Sequence, residues 1–263
     1  MNKPTDVPYP QGELPLPDDF KFGTVVVSCD PQVRQRFMAK VYSILSTQLL
    51  LSLGFIGAVY RFPRFQEFLI THVGLWVFAM VFTLVSCIWV SLAPSKEDYD
   101  ENDQVPWYAL STKGQRGLLF AFTVCESYCL AGAVMFEAQD AVASALLVTT
   151  IVVFGISLMA FSGRFQMSEG TMGSLYGWLG MGLWILIGIC VTTLLFGGMG
   201  SNMNVLTGWL GAIVFSVYLF VDTQLIFRKV RLGEEVKCAM MLYLDIVNLF
   251  LSLLRIMSRG NDD

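Results

Sequence analysis

The sequence predicts an all-α integral membrane protein with seven transmembrane helices. Hydrophobic residues make up 55% of its 263 residues and charged residues only 14%, whereas a soluble domain carries about 25% charged residues. The mean hydropathy is +0.60. Seven separate stretches are also apolar over about 20 residues, the length that an α-helix needs to cross the hydrocarbon layer. Lipid is therefore the solvent that we expect around most of this chain.

The chain begins with a polar segment, residues 1–35, whose composition is typical of a flexible cytosolic tail. This segment lacks the apolar core of a cleavable signal peptide, so we expect the first apolar stretch to act as an uncleaved anchor. Residues 36–263 are then predicted to form a single membrane domain. The prolines that characterise the tail are Pro4, Pro8, Pro10, Pro15 and Pro17.

The seven apolar windows are separated by polar or helix-breaking residues. All nine prolines of the chain lie outside the windows. Each window therefore predicts an unbroken helix, whose backbone donors and acceptors are satisfied within the helix, as lipid requires. The windows comprise roughly residues 40–60, 73–93, 116–136, 140–162, 175–197, 205–227 and 237–257.

Glycines are frequent in the fifth and sixth windows. Small residues allow transmembrane helices to approach each other closely, so we predict that these glycines serve helix packing. They are Gly177, Gly180, Gly182, Gly188, Gly208 and Gly211.

Lysines and arginines near the window ends are distributed unequally between the two sides of the membrane. Eleven lie on the side of the N-terminus (Arg34, Arg36, Lys40, Lys96, Lys113, Arg116, Arg164, Arg228, Lys229, Arg231, Lys237) and four on the other (Arg61, Arg64, Arg255, Arg259). The positive-inside rule then predicts a cytosolic N-terminus. Seven crossings would place the C-terminus outside or in a lumen. A re-entrant seventh segment would return it to the cytosol, and the sequence leaves both arrangements open.

One carboxylate in each of the last two windows is a functional candidate, because a charge at the bilayer centre costs about 2.5–3.5 kcal/mol. Asp222 and Asp245 are equally distant from the middle of the loop between these windows. An antiparallel hairpin therefore places both at similar depth, about 9 Å from the cytosolic helix ends. If their faces meet, the pair shares one proton, since two adjacent carboxylates do not both ionise cheaply. The doubly ionised pair would bind a hard cation, so we predict a proton-sensing site and a transient Ca²⁺ site.

A structural role is the alternative for these aspartates. Each could instead form hydrogen bonds with neighbouring helices, for example through Asn248, Thr223 or Tyr243. Asn248 is also a candidate auxiliary residue of the site.

Glu126 in the third window is a second auxiliary candidate. Its neighbours Thr123, Ser127 and Tyr128 could satisfy it locally. The sequence leaves a packing role and a role in an ion route equally open.

Several other function classes lack their characteristic residues. His72 is the only histidine, and neither HExxH nor GxSxG occurs, which argues against an intramembrane protease. Lysines occur only at the ends of windows and not in their interior, where a retinal protein would require one. The net charge of −4, without a basic stripe, argues against a nucleic-acid partner. We therefore expect no enzyme, no catalytic residue and no cofactor.

Two neighbouring stretches carry a specific pattern. Tyr218–Lys229 contains Asp-Thr-Gln, and Glu234–Arg255 contains Leu-Tyr-Leu-Asp-Ile-Val-Asn-Leu-Phe. With Phe20–Cys29 and Arg34–Tyr42 upstream, the chain resembles the transmembrane Bax inhibitor motif family, in its lifeguard-type branch, and most closely its fungal members. The resemblance covers nearly the whole chain from about residue 18.

The resemblance implies a fold with six helices around a central seventh. It also implies a pH-sensitive calcium leak from internal stores, with roles in the unfolded-protein response and in the restraint of apoptosis. In that family two aspartates of the last two helices form a proton-sensing pair, and Asp222 and Asp245 match them. Bacterial relatives have a latching arginine on the second helix, but residues 73–93 here contain no basic residue. The latch is therefore not carried over.

Two principal functions follow as hypotheses. The first is a calcium leak channel gated by Asp222 and Asp245, with the bilayer, Ca²⁺ and protons as partners. The alternative is a non-conducting membrane adaptor that regulates cell-death proteins or other channels, in which the aspartates are structural. A proton-coupled solute transporter is a third class. The resemblance favours the endoplasmic reticulum membrane, with the vacuole, Golgi and mitochondrion as alternatives.

Overall fold

The computed structural model of the protein describes residues 31–96, 99, 104–161, 167–196, 201–228 and 233–258. These residues form eight α-helices, and seven of the eight are long and apolar enough to cross a membrane, which confirms the predicted fold class. The helices are α1 (Pro31–Arg61), α2 (Pro63–Thr71), α3 (Val73–Leu92), α4 (Thr112–Val134), α5 (Gln139–Phe161), α6 (Glu169–Phe196), α7 (Ser201–Arg228) and α8 (Glu235–Met257).

The helix limits agree with the predicted windows within a few residues, except at the N-terminal ends of α1 and α6. Helix α1 begins at Pro31, so residues 31–35 are helical although the sequence assigned them to the tail. The remainder of that predicted tail, residues 1–30, lies outside the described residues. Helix α2 was not predicted, because its nine residues are too few to span a bilayer. It lies between the first two crossings, where Pro63 fits the first turn of a helix.

Helix α8 lies at the centre of the bundle. Of the residues in its most apolar stretch, 61% are buried, whereas the corresponding share in the other six spans is 11 to 44%. It packs against α1, α4, α5 and α7, while α6 packs mainly on the outer side of α7. The central position of the seventh crossing is thus shown by its burial and by its contacts with helices on several sides.

Helix α8 is also continuous. Its 23 residues extend about 34 Å at 1.5 Å per residue, which exceeds a hydrocarbon layer of about 30 Å. A re-entrant segment would have to reverse direction, and no reversal occurs between Glu235 and Met257. The geometry of α8 therefore favours a full crossing over the re-entrant alternative.

The outer surface of the bundle is strongly apolar. Large side chains such as Phe154, Trp184 and Ile213 are more than half exposed. An apolar surface of this extent is exceptional on a monomeric soluble protein, and it is the surface that lipid tails cover in a membrane.

The glycines of the fifth and sixth crossings divide into two groups. A side chain at Gly208 or Gly211 of α7 would collide with α8, and one at Gly182 would press on Val214, so these three serve close packing as predicted. For Gly177, Gly180 and Gly188 the prediction is wrong: the space beside each Cα is open within 4 Å.

Candidate functional site

Asp222 and Asp245 meet at the interface between α7 and α8. Asp222 lies six residues before the end of α7, and Asp245 ten residues after the start of α8. Their carboxyl groups form a hydrogen bond with each other. Only 4% of Asp222 and 7% of Asp245 is exposed. The hairpin expected from the sequence therefore brings the two carboxyl groups into direct contact.

Tyr176 of α6 is the third member of the site. Its hydroxyl donates a hydrogen bond to Oδ1 of Asp222. The edge of its ring packs against Tyr218, one turn before Asp222 on α7, with the ring centroids 6.2 Å apart. The sequence analysis missed Tyr176. The available signal was its position along the crossing, since it lies seven residues after the start of α6, which packs beside α7.

The second oxygen of Asp245, Oδ2, is buried and has no hydrogen-bond partner among the described residues. An ionised carboxylate only accepts hydrogen bonds, so the bond between the two aspartates requires a proton on one of them. The site in this form is a protonated, under-satisfied pair. Such a pair is able to bind and release protons.

The alternative partners named from the sequence do not hold the aspartates. Thr223 donates to the carbonyl of Leu219 at 2.6 Å, and Asn248 donates to that of Leu244 at 2.8 Å. Tyr243 faces away from the pair and bonds to Ser52. Each of these three groups bonds elsewhere, so a structural role of the aspartates would depend on the bond from Tyr176 instead.

No basic residue of α3 takes the place of the latching arginine. Helix α3 is described over its whole length and contains none. Lys96 beyond it is exposed, and its backbone pairs with Leu110. The group that contacts the pair from outside the hairpin is instead the neutral hydroxyl of Tyr176.

The hairpin is closed tightly on the side away from the loop that joins α7 to α8. An added Cβ at Gly211 would collide with Oγ of Ser252, and one at Gly208 would lie 2.8 Å from Ile256. Helices in such close contact leave no room for a hydrated ion. The α7–α8 seam is thus closed between the pair and the end of the hairpin opposite the loop.

The auxiliary candidates occupy separate places. Asn248 lies one turn beyond Asp245 on α8 and bonds only within its own helix in the described part of the chain. Glu126 lies on α4, where its charge acts on Tyr243 of α8 and Cys87 of α3. The structure therefore brings Asp222 and Asp245 together and leaves Glu126 apart from them. No group of three or more His, Cys, Asp or Glu side chains that could hold a metal occurs in the described ranges.

Seven crossing helices and a buried carboxyl pair define a polytopic α-helical membrane protein with an intramembrane ionisable site. The sequence profile described as "Inhibitor of apoptosis-promoting Bax1" matches residues 34–262. The chain belongs to this Bax inhibitor family.

Individual relatives agree with that assignment. The chain is 51% identical to "Bax inhibitor 1" of Saccharomyces cerevisiae, over 96% of this chain and 92% of the relative. It is 31% identical to "Protein lifeguard 4" of Mus musculus, over 98% of both chains. It is 28% identical to "Golgi anti-apoptotic protein" of Vaccinia virus, over 94% of both. The resemblance to the fungal members and to the lifeguard branch is thereby confirmed.

Proposed function

We propose that this protein is a pH-sensitive calcium leak channel of an internal membrane, in which Asp222 and Asp245 form the gate. The observation that carries the proposal is the direct contact between two buried carboxyl groups on adjacent helices. A carboxyl pair in a low-dielectric setting couples the arrangement of these helices to protonation. It also supplies the negative charge that a divalent cation requires.

The protonated pair stabilises the closed arrangement, because one shared proton joins α7 to α8. Loss of that proton leaves two negative charges in contact. Two unit charges 4 Å apart repel by about 4 kcal/mol at an effective dielectric constant of 20. This energy is large enough to separate the helices or to attract a compensating cation. Acidification should therefore close the channel, and a rise in pH should open it.

Ca²⁺ would bind only weakly to the opened pair. Calcium takes six to eight oxygen ligands, whereas Asp222, Asp245 and Tyr176 together supply at most five. Water must complete the shell, so residence would be brief. Brief residence suits a leak, since an ion that binds too tightly does not pass on.

The wider cellular role follows from the same proposal. A regulated calcium leak contributes to calcium homeostasis, to the unfolded-protein response and to the restraint of apoptosis. The name of the viral relative, "Golgi anti-apoptotic protein", supports an internal membrane and a link to cell death for this protein. We place the protein in the endoplasmic reticulum membrane with its N-terminus in the cytosol.

The test is calcium flux into liposomes that contain the purified full-length protein and an internal indicator, measured against pH. Wild-type flux should fall on acidification. Asp222→Asn and Asp245→Asn should each reduce flux and remove most of its pH response, because an amide keeps a permanent donor at the pair. Asp140→Asn is the matched control, since Asp140 is exposed at the start of α5. The assignment of the gate to Asp222 and Asp245 is wrong if both variants show the flux and the pH response of the control.

The names of the relatives favour the adaptor as the second candidate, because they refer to the restraint of cell death and not to conduction. In that case wild-type liposomes would take up no more Ca²⁺ than empty ones. A protective effect in cells would then persist without flux. Deletion of residues 1–30 would abolish an effect that depends on the tail but would leave a leak intact.

A further inference from the structure

A second group of polar side chains is buried on the opposite side of α8. We call Gln48, Ser52, Thr123, Ser127 and Tyr243 the polar cluster. Gln48 Nε2 donates to Oγ1 of Thr123 at 2.9 Å, and one turn further along both helices Oγ of Ser52 lies 3.0 Å from Oγ of Ser127. The hydroxyl of Tyr243 joins Ser52 at 2.8 Å. Helices α1, α4 and α8 are thus linked by hydrogen bonds in the membrane interior.

The polar cluster contains more acceptors than donors. Thr123 and Ser127 donate their hydroxyl protons to backbone carbonyls of α4, at 2.8 and 2.6 Å. Their oxygens therefore face the cluster as acceptors. Gln48 is only 4% exposed, and its Oε1 has no hydrogen-bond partner among the described residues. A buried unpaired acceptor costs about 1–3 kcal/mol, and a cation or a water molecule would relieve that cost.

Glu126 places a carboxyl group beside this cluster. It lies between Thr123 and Ser127 on α4 and is partly buried. Within the described part of the chain no hydrogen bond reaches its carboxyl group. The local partners proposed for it from the sequence are therefore absent. The titratable groups on which its charge acts are Cys87 of α3, Cys125 and Cys129 of α4, and Tyr243 of α8. None of these groups is a base that could neutralise it.

Glu126 and the carboxyl pair form two separate electrostatic sites. The charge of Asp222 acts on Tyr176, Tyr218 and Cys238, none of which is a neighbour of Glu126. Glu126 also lies fourteen residues from the start of α4 and eight from its end, which places it toward the non-cytosolic side. Asp222, by contrast, is six residues from the cytosolic end of α7.

The central helix presents one polar group to each site. Tyr243 and Asp245 are two residues apart on α8, so their side chains project about 200° apart around the helix. On the Asp245 side, Gly208 and Gly211 close the outer half of the α7–α8 seam. On the Tyr243 side, buried oxygens continue toward the outer half. A cation that moves between the pair and the non-cytosolic side would therefore find oxygen ligands on the Tyr243 side of α8.

We propose that Glu126 and the polar cluster form a second binding site for a hard cation, which lies on the non-cytosolic part of the calcium route. Glu126 supplies the charge, and Oε1 of Gln48 with the hydroxyl oxygens supplies neutral ligands. The assignment of this site to a calcium route rests on the function proposed above. Binding of the cation is independent of that function, because it requires only the oxygens and the carboxyl group of this site.

Two measurements test the site separately. The first is liposome flux for Glu126→Gln, with Glu137→Gln at the outer end of α4 as the matched control. We expect Glu126→Gln to reduce Ca²⁺ flux several-fold at the pH at which the wild type conducts best. Glu126→Asp, which keeps the charge, should restore part of the flux and guards against a simple folding defect.

The second measurement does not depend on conduction. A ligand that binds only the folded protein raises its thermal stability, so Ca²⁺ should raise the unfolding midpoint of the Asp222→Asn, Asp245→Asn double variant in detergent. Adding Glu126→Gln to that variant should remove the rise, whereas adding Glu137→Gln should not. If wild-type liposomes conduct nothing, this rise still supports the site and only the proposed function fails. If Glu126→Gln leaves the rise unchanged, the second site is overturned.

Discussion

Tyr176 donates a hydrogen bond to Asp222 from α6, a helix outside the hairpin that carries the carboxyl pair. Helix α6 packs mainly on α7, so this bond connects the pair to the periphery of the bundle. The donor is neutral, whereas an arginine in this position would be cationic. Because an arginine would add the attraction of a full positive charge to the hydrogen bond, we expect Tyr176 to restrain the pair less firmly than an arginine would.

Replacement of Tyr176 by Phe should move the pH dependence of calcium flux to higher pH. A donor to Asp222 favours its ionised form, so removal of the hydroxyl favours the protonated, closed pair. A hydrogen bond to a charged group contributes about 1.5–3 kcal/mol, and 1.36 kcal/mol corresponds to one pH unit. The pH of half-maximal flux in liposomes should therefore rise by about one to two units.

Tyr218→Phe is the control for that experiment. Tyr218 packs its ring against Tyr176, so the variant keeps the aromatic contact and removes a hydroxyl from the same region. It should change the pH of half-maximal flux by much less. Equal shifts for the two variants would mean that the general polarity of this region, and not the bond to Asp222, controls the pair.

The sequence was sufficient for the seven crossings and for the similar depth of Asp222 and Asp245, whereas it left open whether their faces meet. Both are local properties: hydrophobic length defines each crossing, and a hairpin with a short loop fixes the relative depth of two residues on adjacent helices. Tyr176 could not be inferred in this way. Its contact depends on which helix packs beside α7 and on the rotation of α6 about its own axis. Neither quantity is encoded in hydrophobic length.

The glycines illustrate the same limit. Gly188 and Gly211 both lie in apolar helices rich in small residues, yet Gly211 contacts Ser252 closely and Gly188 borders open space. Composition predicts that some helix pair is close, whereas only the rotation of each helix decides which glycines lie in the contact. The short helix α2 was missed for a different reason, because it is not long enough to give a membrane signal.

The membrane orientation is testable by chemical labelling. In a background without native cysteines, Lys113→Cys at the start of α4 should react with an impermeant maleimide from the cytosolic side of microsomes. Asp140→Cys at the start of α5 should react only after the membrane is permeabilised. The excess of eleven basic residues over four is the reason for this expectation. The reverse labelling pattern would invert the proposed topology.

Gly211→Ala should destabilise the α7–α8 hairpin. The new Cβ would lie 2.4 Å from Oγ of Ser252, and overpacking of this kind costs about 1–3 kcal/mol. Thermal unfolding in detergent should show a lower midpoint for this variant. The Cβ of Gly188→Ala would meet open space. This variant should unfold at the wild-type midpoint or at a slightly higher temperature, since alanine is the better helix former.

A second substitution identifies the cause of that destabilisation. Ser252→Ala removes the oxygen that the new Cβ would meet and leaves only the 3.2 Å contact with Cβ of residue 252. The double variant Gly211→Ala with Ser252→Ala should therefore recover part of the lost stability. If it is no more stable than Gly211→Ala alone, the close contact between Gly211 and Ser252 is not what limits the packing.

Ser52 and Tyr243 should be energetically coupled, because the bond between them joins α1 to the central helix. Hydrogen bonds between transmembrane helices contribute on average about 0.6 kcal/mol and at most about 1.7 kcal/mol. A double-mutant cycle of Ser52→Ala and Tyr243→Phe, measured by unfolding in detergent, should give a coupling energy in this range. Tyr128→Phe provides the comparison, since the hydroxyl of Tyr128 is buried without a partner in the described chain. Its cycle with Ser52→Ala should give no coupling, and equal coupling in both cycles would indicate a general loosening of α4 in place of a specific bond.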